Sequence, residues 1–375
     1  MKNKLKLTIL FLSLMQMGCV FMGPIMQNIV TQFPEYSTST CQMLMTIPNL
    51  VVVVTSLIVG KLSTILTKKQ LLLLSCFSMI IGSLGLFVLH THLLIMFVFS
   101  GLIGFGVGIL LSVSATMISK YYTSTEQSQL YGIQNTATSV GGVILSFLSG
   151  YLATIKWYYA FLYPLIIIPG TIMTFMFVPS DRDEKIQSKQ STKITANIYY
   201  YTLIAVFFLL VFNIMPTNIA IYLQAKGLGD SSVSGIISAV VLCGGAVSGM
   251  CFKKFNSLVG ERVIALGFFN LALGFFLLSI ANNLIVLGLG AFIGGCSLPL
   301  LMSRLTLSIS LYTAPAAVPV AMSLIMAGNN LGNFISPIAF SFIPFAGLEQ
   351  RFLVVTAISL VFAIISYFTL KKKEI

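Results

Sequence analysis

The chain of 375 residues is 57% hydrophobic and only 8% charged, and it carries a formal net charge of +12. This composition excludes an ordinary soluble domain, in which about a quarter of the residues are charged. The positive charge would suit a nucleic-acid-binding protein, but the basic residues lie in short segments between long apolar runs, which indicates a membrane protein.

Twelve apolar runs, here called spans 1 to 12, follow one another along the chain. About twenty helical residues cross a hydrocarbon core of about 30 Å, because a chain in lipid must satisfy its backbone hydrogen bonds internally. The spans cover residues 5–30, 41–62, 70–89, 93–118, 132–154, 157–178, 198–223, 232–252, 262–281, 284–307, 317–345 and 350–370. The sequence therefore predicts an all-α polytopic membrane protein.

Basic residues are sorted between the two sides of the predicted membrane. With a cytoplasmic N-terminus, all but three of the 21 lysines and arginines face the cytoplasm, the exceptions being Lys156, Lys226 and Arg351. Such asymmetry in short loops fixes the orientation by the positive-inside rule. We expect a multi-pass protein of the cell (plasma) membrane with both termini in the cytoplasm, in contact with the lipid bilayer and not with nucleic acid.

The longest polar segment lies at the midpoint and divides the spans six and six. It predicts an N-terminal six-helix bundle over 1–180, a cytoplasmic linker over 181–197 and a C-terminal bundle over 198–375. The two halves also share residues at a nearly constant offset of 189 to 192 positions. The pairs are Pro24 and Pro216, Gly60 and Gly249, Gly82 and Gly274, Gly104 and Gly294, Gly141 and Gly332, and Tyr-Thr at 122–123 and 312–313. Six matches in order indicate a duplicated six-helix unit.

Three motifs resemble those of the major facilitator superfamily, and the resemblance covers the whole chain. Gly-Lys-Leu at 60–62 followed by Lys68 and Lys69 is similar to the family's loop between its second and third spans, although Thr64, Ile65 and Thr67 replace its Asp, Arg and Gly. Residues 100–106 resemble the span 4 motif with Ser100 at its arginine position. The glycines of span 5 resemble the antiporter motif without its proline.

The resemblance implies two pseudo-symmetric six-helix bundles, a central cavity between them and transport by alternating access. It also implies that spans 3, 6, 9 and 12 face lipid. Glycines and prolines at such motifs allow helices to pack closely or to bend. The candidate gating or packing residues are Gly60, Lys68, Lys69, Gly104, Gly141 and Pro337.

Amide side chains within spans are informative because a polar group in hydrocarbon is costly without a partner. With the exception of Asn270, they lie outside spans 3, 6, 9 and 12, so they mark the bundle interior. Each one either binds solute or bonds to a neighbouring helix, and the sequence leaves both roles open. The candidate solute-binding residues are Gln16, Gln134, Asn135, Asn213, Asn329, Asn330 and Asn333.

Charged residues are nearly absent from the spans. None of the nine carboxylates lies inside one, and the six cysteines have no spacing typical of a metal or redox site. Arg304 lies near the end of span 10 and either extends to the cytoplasmic interface or lines an inward-facing cavity; we expect it to reach the interface. Since no span holds a carboxylate or histidine, the sequence also predicts transport without proton coupling.

These observations predict a transporter for a small neutral or amphipathic organic solute, of which drug-like efflux is one form because methionine-rich surfaces adapt to varied ligands. One alternative is a facilitator or exchanger for a nutrient or metabolite. A further alternative is a non-transporting membrane scaffold or sensor, which the short loops disfavour. We expect no enzyme, since no nucleophile lies beside a base. We also expect no cofactor, no metal and a monomeric protein.

Overall fold

A computed structural model describes residues 2–18, 20–180, 196–313, 318–343 and 347–369. These residues contain helices and no strand, which confirms the all-α class. Nine segments among them are long and apolar enough to cross a membrane, and one of these, Ser231–Ser279, holds two helices in succession. Spans 1 and 11 complete the set of twelve. The first is broken into short pieces, and three asparagines lower the hydropathy of the second.

Most helices follow the predicted limits within a few residues. Spans 2 to 5 are the helices Thr38–Leu62, Lys68–Val88, Leu93–Tyr121 and Ser124–Ala153. Span 6 begins as a 3-10 helix, Trp157–Ile166, and continues as the α-helix Ile167–Phe177. Spans 8 to 12 are Ser231–Val259, Val263–Ser279, Leu284–Tyr312, Val318–Ser341 and Leu348–Thr369.

Spans 1 and 7 are broken, so the expectation of one continuous helix over 5–30 and over 198–223 is wrong. Span 1 consists of Lys2–Ser13, a 3-10 turn at Val20–Met22 and a second helix, Met26–Gln32. Span 7 consists of Ala196–Phe212 and Ile214–Ala225, with Asn213 at the break. Pro24 lies between the 3-10 turn and the second helix of span 1, and Pro216 lies three residues after Asn213; neither residue has an amide donor. The proline pair of the repeat thus accompanies a broken first helix in each half.

Two compact units make up the chain, Met1–Lys189 and Gln190–Ile375. In the first unit span 1 packs on span 5, span 2 on span 4, and span 3 on spans 4 and 6. The same pairs recur in the second unit as spans 7 and 11, 8 and 10, 9 and 10, and 9 and 12. The duplicated sequence is therefore a duplicated pattern of helix packing. The predicted linker lies outside the described residues except for its last two positions.

Polar side chains cap several helices where the chain leaves the apolar region. Thr67 and Gln70 form a capping box at the start of span 3, and Thr123 and Glu126 form one at the start of span 5. Asp230 accepts from two backbone amides at the start of span 8. These groups satisfy amides that the first helical turn leaves without an internal partner.

Three glycines of the repeat lie at close helix crossings. A Cβ atom at Gly104 would overlap the backbone of Pro48 on span 2, and one at Gly141 would overlap the carbonyl group of Leu14 on span 1. In the second unit, Gly332 makes the corresponding approach to the carbonyl oxygen of Val206 on span 7. A helix crossing this close requires residues without a side chain.

We predict that Gly141→Ala destabilises the protein, because the new methyl group must displace the backbone of span 1, at a cost of about 1–3 kcal/mol. Gly60→Ala is the matched control, since a Cβ atom there meets no heavy atom within 4 Å. The melting temperatures of the two purified variants in detergent, compared with that of the wild type, measure the change in stability. Equal melting temperatures for the two variants would contradict the close crossing.

Candidate functional site

Side chains of span 5 bridge the break in span 1. The Ser149 hydroxyl donates to the carbonyl oxygen of Phe21, at 2.5 Å, within the 3-10 turn of the broken segment. The Thr138 hydroxyl lies 3.1 Å from Gln16 Oε1 and 3.0 Å from the carbonyl oxygen of Gln134. Since Gly141 lies between these two positions, the close crossing brings the donors of span 5 to the groups that the broken helix leaves.

Amides bridge the break in span 7 in a similar way. Asn213 Nδ2 donates to the carbonyl oxygen of Asn333 on span 11, at 3.1 Å. Within span 7, the Thr217 hydroxyl donates to the carbonyl oxygen of Asn213 at 2.8 Å, and Asn218 Nδ2 donates to that of Ile214 at 2.8 Å. The first and fifth helices of each unit are therefore joined by polar side chains beside the break.

The remaining candidate amides differ in how far their hydrogen bonds are satisfied. Gln134 is buried, whereas Asn135 on the same span is exposed. On span 11, Asn330 Nδ2 donates to the carbonyl oxygen of Met326 in its own helix, at 2.8 Å. The Asn329 Oδ1 atom is buried, and no donor reaches it from the part of the chain that the structure describes. A buried acceptor in this condition costs about 1–3 kcal/mol.

The candidate gating residues fall into two groups. Gly104 and Gly141 are tight helix contacts, while Gly60 is exposed and touches nothing closely. Lys68 is buried with its Nζ atom 5.4 Å from the centre of the Tyr121 ring, and Lys69 places its Nζ atom 4.5 Å from that of Phe175. Both lysines thus make cation–π contacts.

Pro337, the last of these candidates, is buried inside the helix of span 11. Span 11 continues through it without a break of the kind seen in spans 1 and 7. The proline is therefore accommodated within one helix, and the structure shows it as part of the packed interior of the second unit.

Arg304 is buried within the protein, against residues of the segment that joins spans 8 and 9. Its side chain is 4% exposed, its Nη1 atom donates to Asn256 Oδ1 at 2.8 Å, and its Nη2 atom lies 3.4 Å from Glu261 Oε1. Glu261, in the turn before span 9, is itself buried. The opposite charge nearby explains why Arg304 stays inside. A buried pair of opposite charges is therefore present, and the two charges compensate each other.

We predict that Arg304→Met destabilises the fold by about 3–5 kcal/mol, because it leaves the Glu261 carboxylate buried without its cation. The double variant Arg304→Met with Glu261→Met should recover much of that loss, since no charge then remains buried. Lys226→Gln, which breaks the more exposed pair with Glu349, is the control and should cost about 0–1 kcal/mol. Thermal unfolding of the purified variants measures the differences. A single variant as stable as the wild type would refute the buried pair.

Comparison with known proteins identifies the family of the chain. The sequence profile of the Major Facilitator Superfamily matches residues 7–306. The chain belongs to the major facilitator superfamily. Its two helical units are accordingly those of a superfamily transporter. No curated protein matches the chain in sequence.

Solved structures of superfamily transporters share the fold at low sequence identity. The nucleoside transporter NupG has a TM-score of 0.81 at 14% identity, covering 98% of this chain and 100% of its own. A peptide transporter, POT, in complex with alafosfalin, has a TM-score of 0.79 at 14% identity over 97% and 94%. The inward-open xylose transporter XylE from E. coli has a TM-score of 0.77 at 14% identity over 100% and 97%. At this identity the likeness establishes the fold alone.

Three residues of this region are not among the candidates predicted from the sequence. Ser149 donates to a backbone carbonyl group of the broken span 1, Thr138 donates to the side chain of Gln16 on that span, and Glu261 is the partner of Arg304. The spacing of Thr138, Gly141 and Ser149 places these small residues on one helical face. Such a stripe of small residues is the pattern that would have predicted a close helix contact here. Glu261 gave no signal, because nothing in the sequence shows that the turn before span 9 packs against span 10.

Proposed function

We propose that this superfamily member transports a small neutral or amphipathic organic solute by alternating access. The observation that carries the proposal is the buried Asn329 Oδ1 atom, which no described donor reaches. A hydroxyl or N–H group of a solute would satisfy this acceptor and recover the free energy that its burial costs. The buried charges of Arg304 and Glu261 compensate each other, so they supply no site for a charged solute.

The seven candidate amides divide by role in this proposal. Gln16 and Asn213 hold broken helices to their neighbours, and Asn330 bonds to its own helix. Asn329, with its unsatisfied acceptor, and the exposed Asn135 are assigned to the solute. Gln134 and Asn333 stay secondary candidates. Both residues lie beside the breaks, where their backbone carbonyl groups accept hydrogen bonds. Broken helices line the solute sites of several transporter folds, which supports placing the site near these positions.

Asn329→Ala should raise the KM for transport about threefold to tenfold, the value of one hydrogen bond between neutral groups. Its melting temperature should not fall, because the change removes a buried acceptor that has no described donor. Asn330→Ala is the matched neighbour and should transport normally. The assay is uptake of a labelled nucleoside, a pentose and an amphipathic dye into proteoliposomes. A loss of stability in Asn329→Ala with an unchanged KM would assign the residue to packing.

Transport should also proceed without proton coupling. Of the acidic residues that the structure describes, only Glu261 is buried, and Arg304 lies beside it. Glu126 caps span 5, and Glu35 is exposed. A group that carries protons must exchange them while shielded from the opposite side, and exposed acids at one surface do not meet that condition. Net flux would then follow the solute's own gradient, as in a facilitator or exchanger of a nutrient or metabolite.

In proteoliposomes an imposed pH gradient of either polarity should produce no accumulation of a neutral solute above equilibrium. Glu261→Gln should behave like the wild type in this assay, apart from the stability lost with the buried pair. Accumulation driven by the pH gradient in the wild type, abolished in Glu261→Gln, would instead identify Glu261 as a proton carrier and overturn the proposal.

We further propose that both termini and the linker over 181–197 face the cytoplasm, on the strength of the lysine and arginine distribution. In a variant without native cysteines, an impermeant thiol reagent added to intact cells should label Leu228→Cys and leave Ser188→Cys unlabelled. Position 228 follows span 7, and position 188 lies in the linker. The reverse labelling would invert the topology.

A further inference from the structure

Spans 9 and 12 enclose an apolar groove of about 500 Å³ at the end where span 9 begins and span 12 ends. The buried Ala265 and Ala363 form its floor. Its walls include Phe269, Ile364 and Phe368, which are 49%, 56% and 79% exposed. The volume falls within the range of roughly 300–1,000 Å³ that is typical of small-ligand pockets. The two alanines leave space between the helices that a long apolar chain would fill.

Arg262 is the only charged residue that lines the described part of this groove. Its guanidinium carbon lies 4.3 Å from the centre of the Tyr367 ring, and its Nη1 atom donates to the Tyr367 hydroxyl at 3.3 Å. Its Nε atom is buried and has no described hydrogen-bond partner. The adjacent carboxylate, Glu261, is bound to Arg304 instead. Arg262 therefore presents a fixed positive charge, with donor capacity left over, beside an apolar groove.

Two described lysines lie toward the same end of the bundle, and three more lysines stand nearby in the sequence. Lys253 and Lys254 are exposed near the end of span 8, and Lys371, Lys372 and Lys373 follow the last described residue of span 12 in the sequence. On the proposed topology this end lies in the cytoplasmic leaflet, where anionic lipids concentrate. A planar guanidinium held by stacking suits a phosphate group, which accepts hydrogen bonds in a fixed geometry.

We propose that this groove binds an anionic phospholipid, with an acyl chain along the apolar walls and the phosphate on Arg262. The combination of apolar length and charge favours a lipid over a free anion, because a free anion would leave the groove empty. The proposal rests on the membrane orientation and not on the solute or its coupling. Its failure would therefore leave the transport proposal intact.

Native mass spectrometry of the purified protein tests it, after equilibration with equal amounts of phosphatidylglycerol and phosphatidylcholine that carry the same acyl chains. The wild type should retain the anionic lipid about fivefold more strongly, the effect expected of one basic residue at the surface. Arg262→Gln should bring the two lipids to near equality. Lys254→Gln removes the same charge from the same end outside the groove, and it should keep the preference. Ala363→Phe, which fills the floor, should lower retention of the anionic lipid.

Equal retention of the two lipids by the wild type would overturn the proposal. So would an equal loss of preference in Lys254→Gln and Arg262→Gln, which would show diffuse surface attraction. Glycerol phosphate without acyl chains, added in detergent, should not raise the melting temperature. If it stabilised the wild type as much as phosphatidylglycerol does, the site would bind a phosphate group and the lipid assignment would be wrong. Should Ala363→Phe fail to fold, the comparison of Arg262→Gln with Lys254→Gln still decides the question.

Discussion

A chain in lipid has no water to satisfy its backbone, so each break in a membrane helix must find its partners within the protein. Polar side chains of spans 5 and 7 lie beside these breaks. Ser149 donates to a carbonyl group in the broken part of span 1, and Asn213 ties the break of span 7 to span 11. In the first unit the neighbouring helix donates to the broken helix, and in the second unit the broken helix donates to its neighbour.

Glycines allow the helices to approach closely enough for these hydrogen bonds to form. Short polar side chains reach across only where the two backbones approach closely, and Gly141 and Gly332 permit that approach in the first and second units. Any side chain at either position would push the helices apart and leave the breaks unsatisfied. Close packing and polar bridging thus depend on each other. The Asn329 Oδ1 atom differs from these groups, because no described donor reaches it. The proposed solute would donate a hydrogen bond to this atom.

Much of the fold follows from the sequence, because apolar length and basic-residue distribution report directly on the solvent around each segment. Most span limits and the duplication agree with the structure, spans 1 and 7 being broken, and the family resemblance is confirmed by the profile match. The continuity of each helix is harder to predict: Pro24 and Pro216 accompany broken helices, whereas Pro48 and Pro337 lie inside unbroken ones. Whether a proline breaks a helix depends on which neighbours satisfy the freed groups, and that is tertiary information.

The candidate site was less predictable for a related reason. An amide in a span signals that it needs a partner, but the sequence does not say whether the partner is another helix or a solute. Gln16 and Asn213 have helix partners, while Asn329 Oδ1 has none among the described residues. The partner of Arg304, Glu261, is likewise 43 positions away in the sequence, and only the packing of the helices brings the two side chains together. Long-range pairs of this kind carry no local pattern.

The most direct test of the account is a thermal-shift panel on the purified protein, in which each neutral solute is paired with close analogues that carry a positive or a negative charge. Compounds with hydroxyl or N–H donors should be included beside versions that lack them. The account predicts that neutral donors raise the melting temperature of the wild type and that charged analogues and donor-free versions do not. Stabilisation by anions alone, or by cations alone, would contradict a site built from amides.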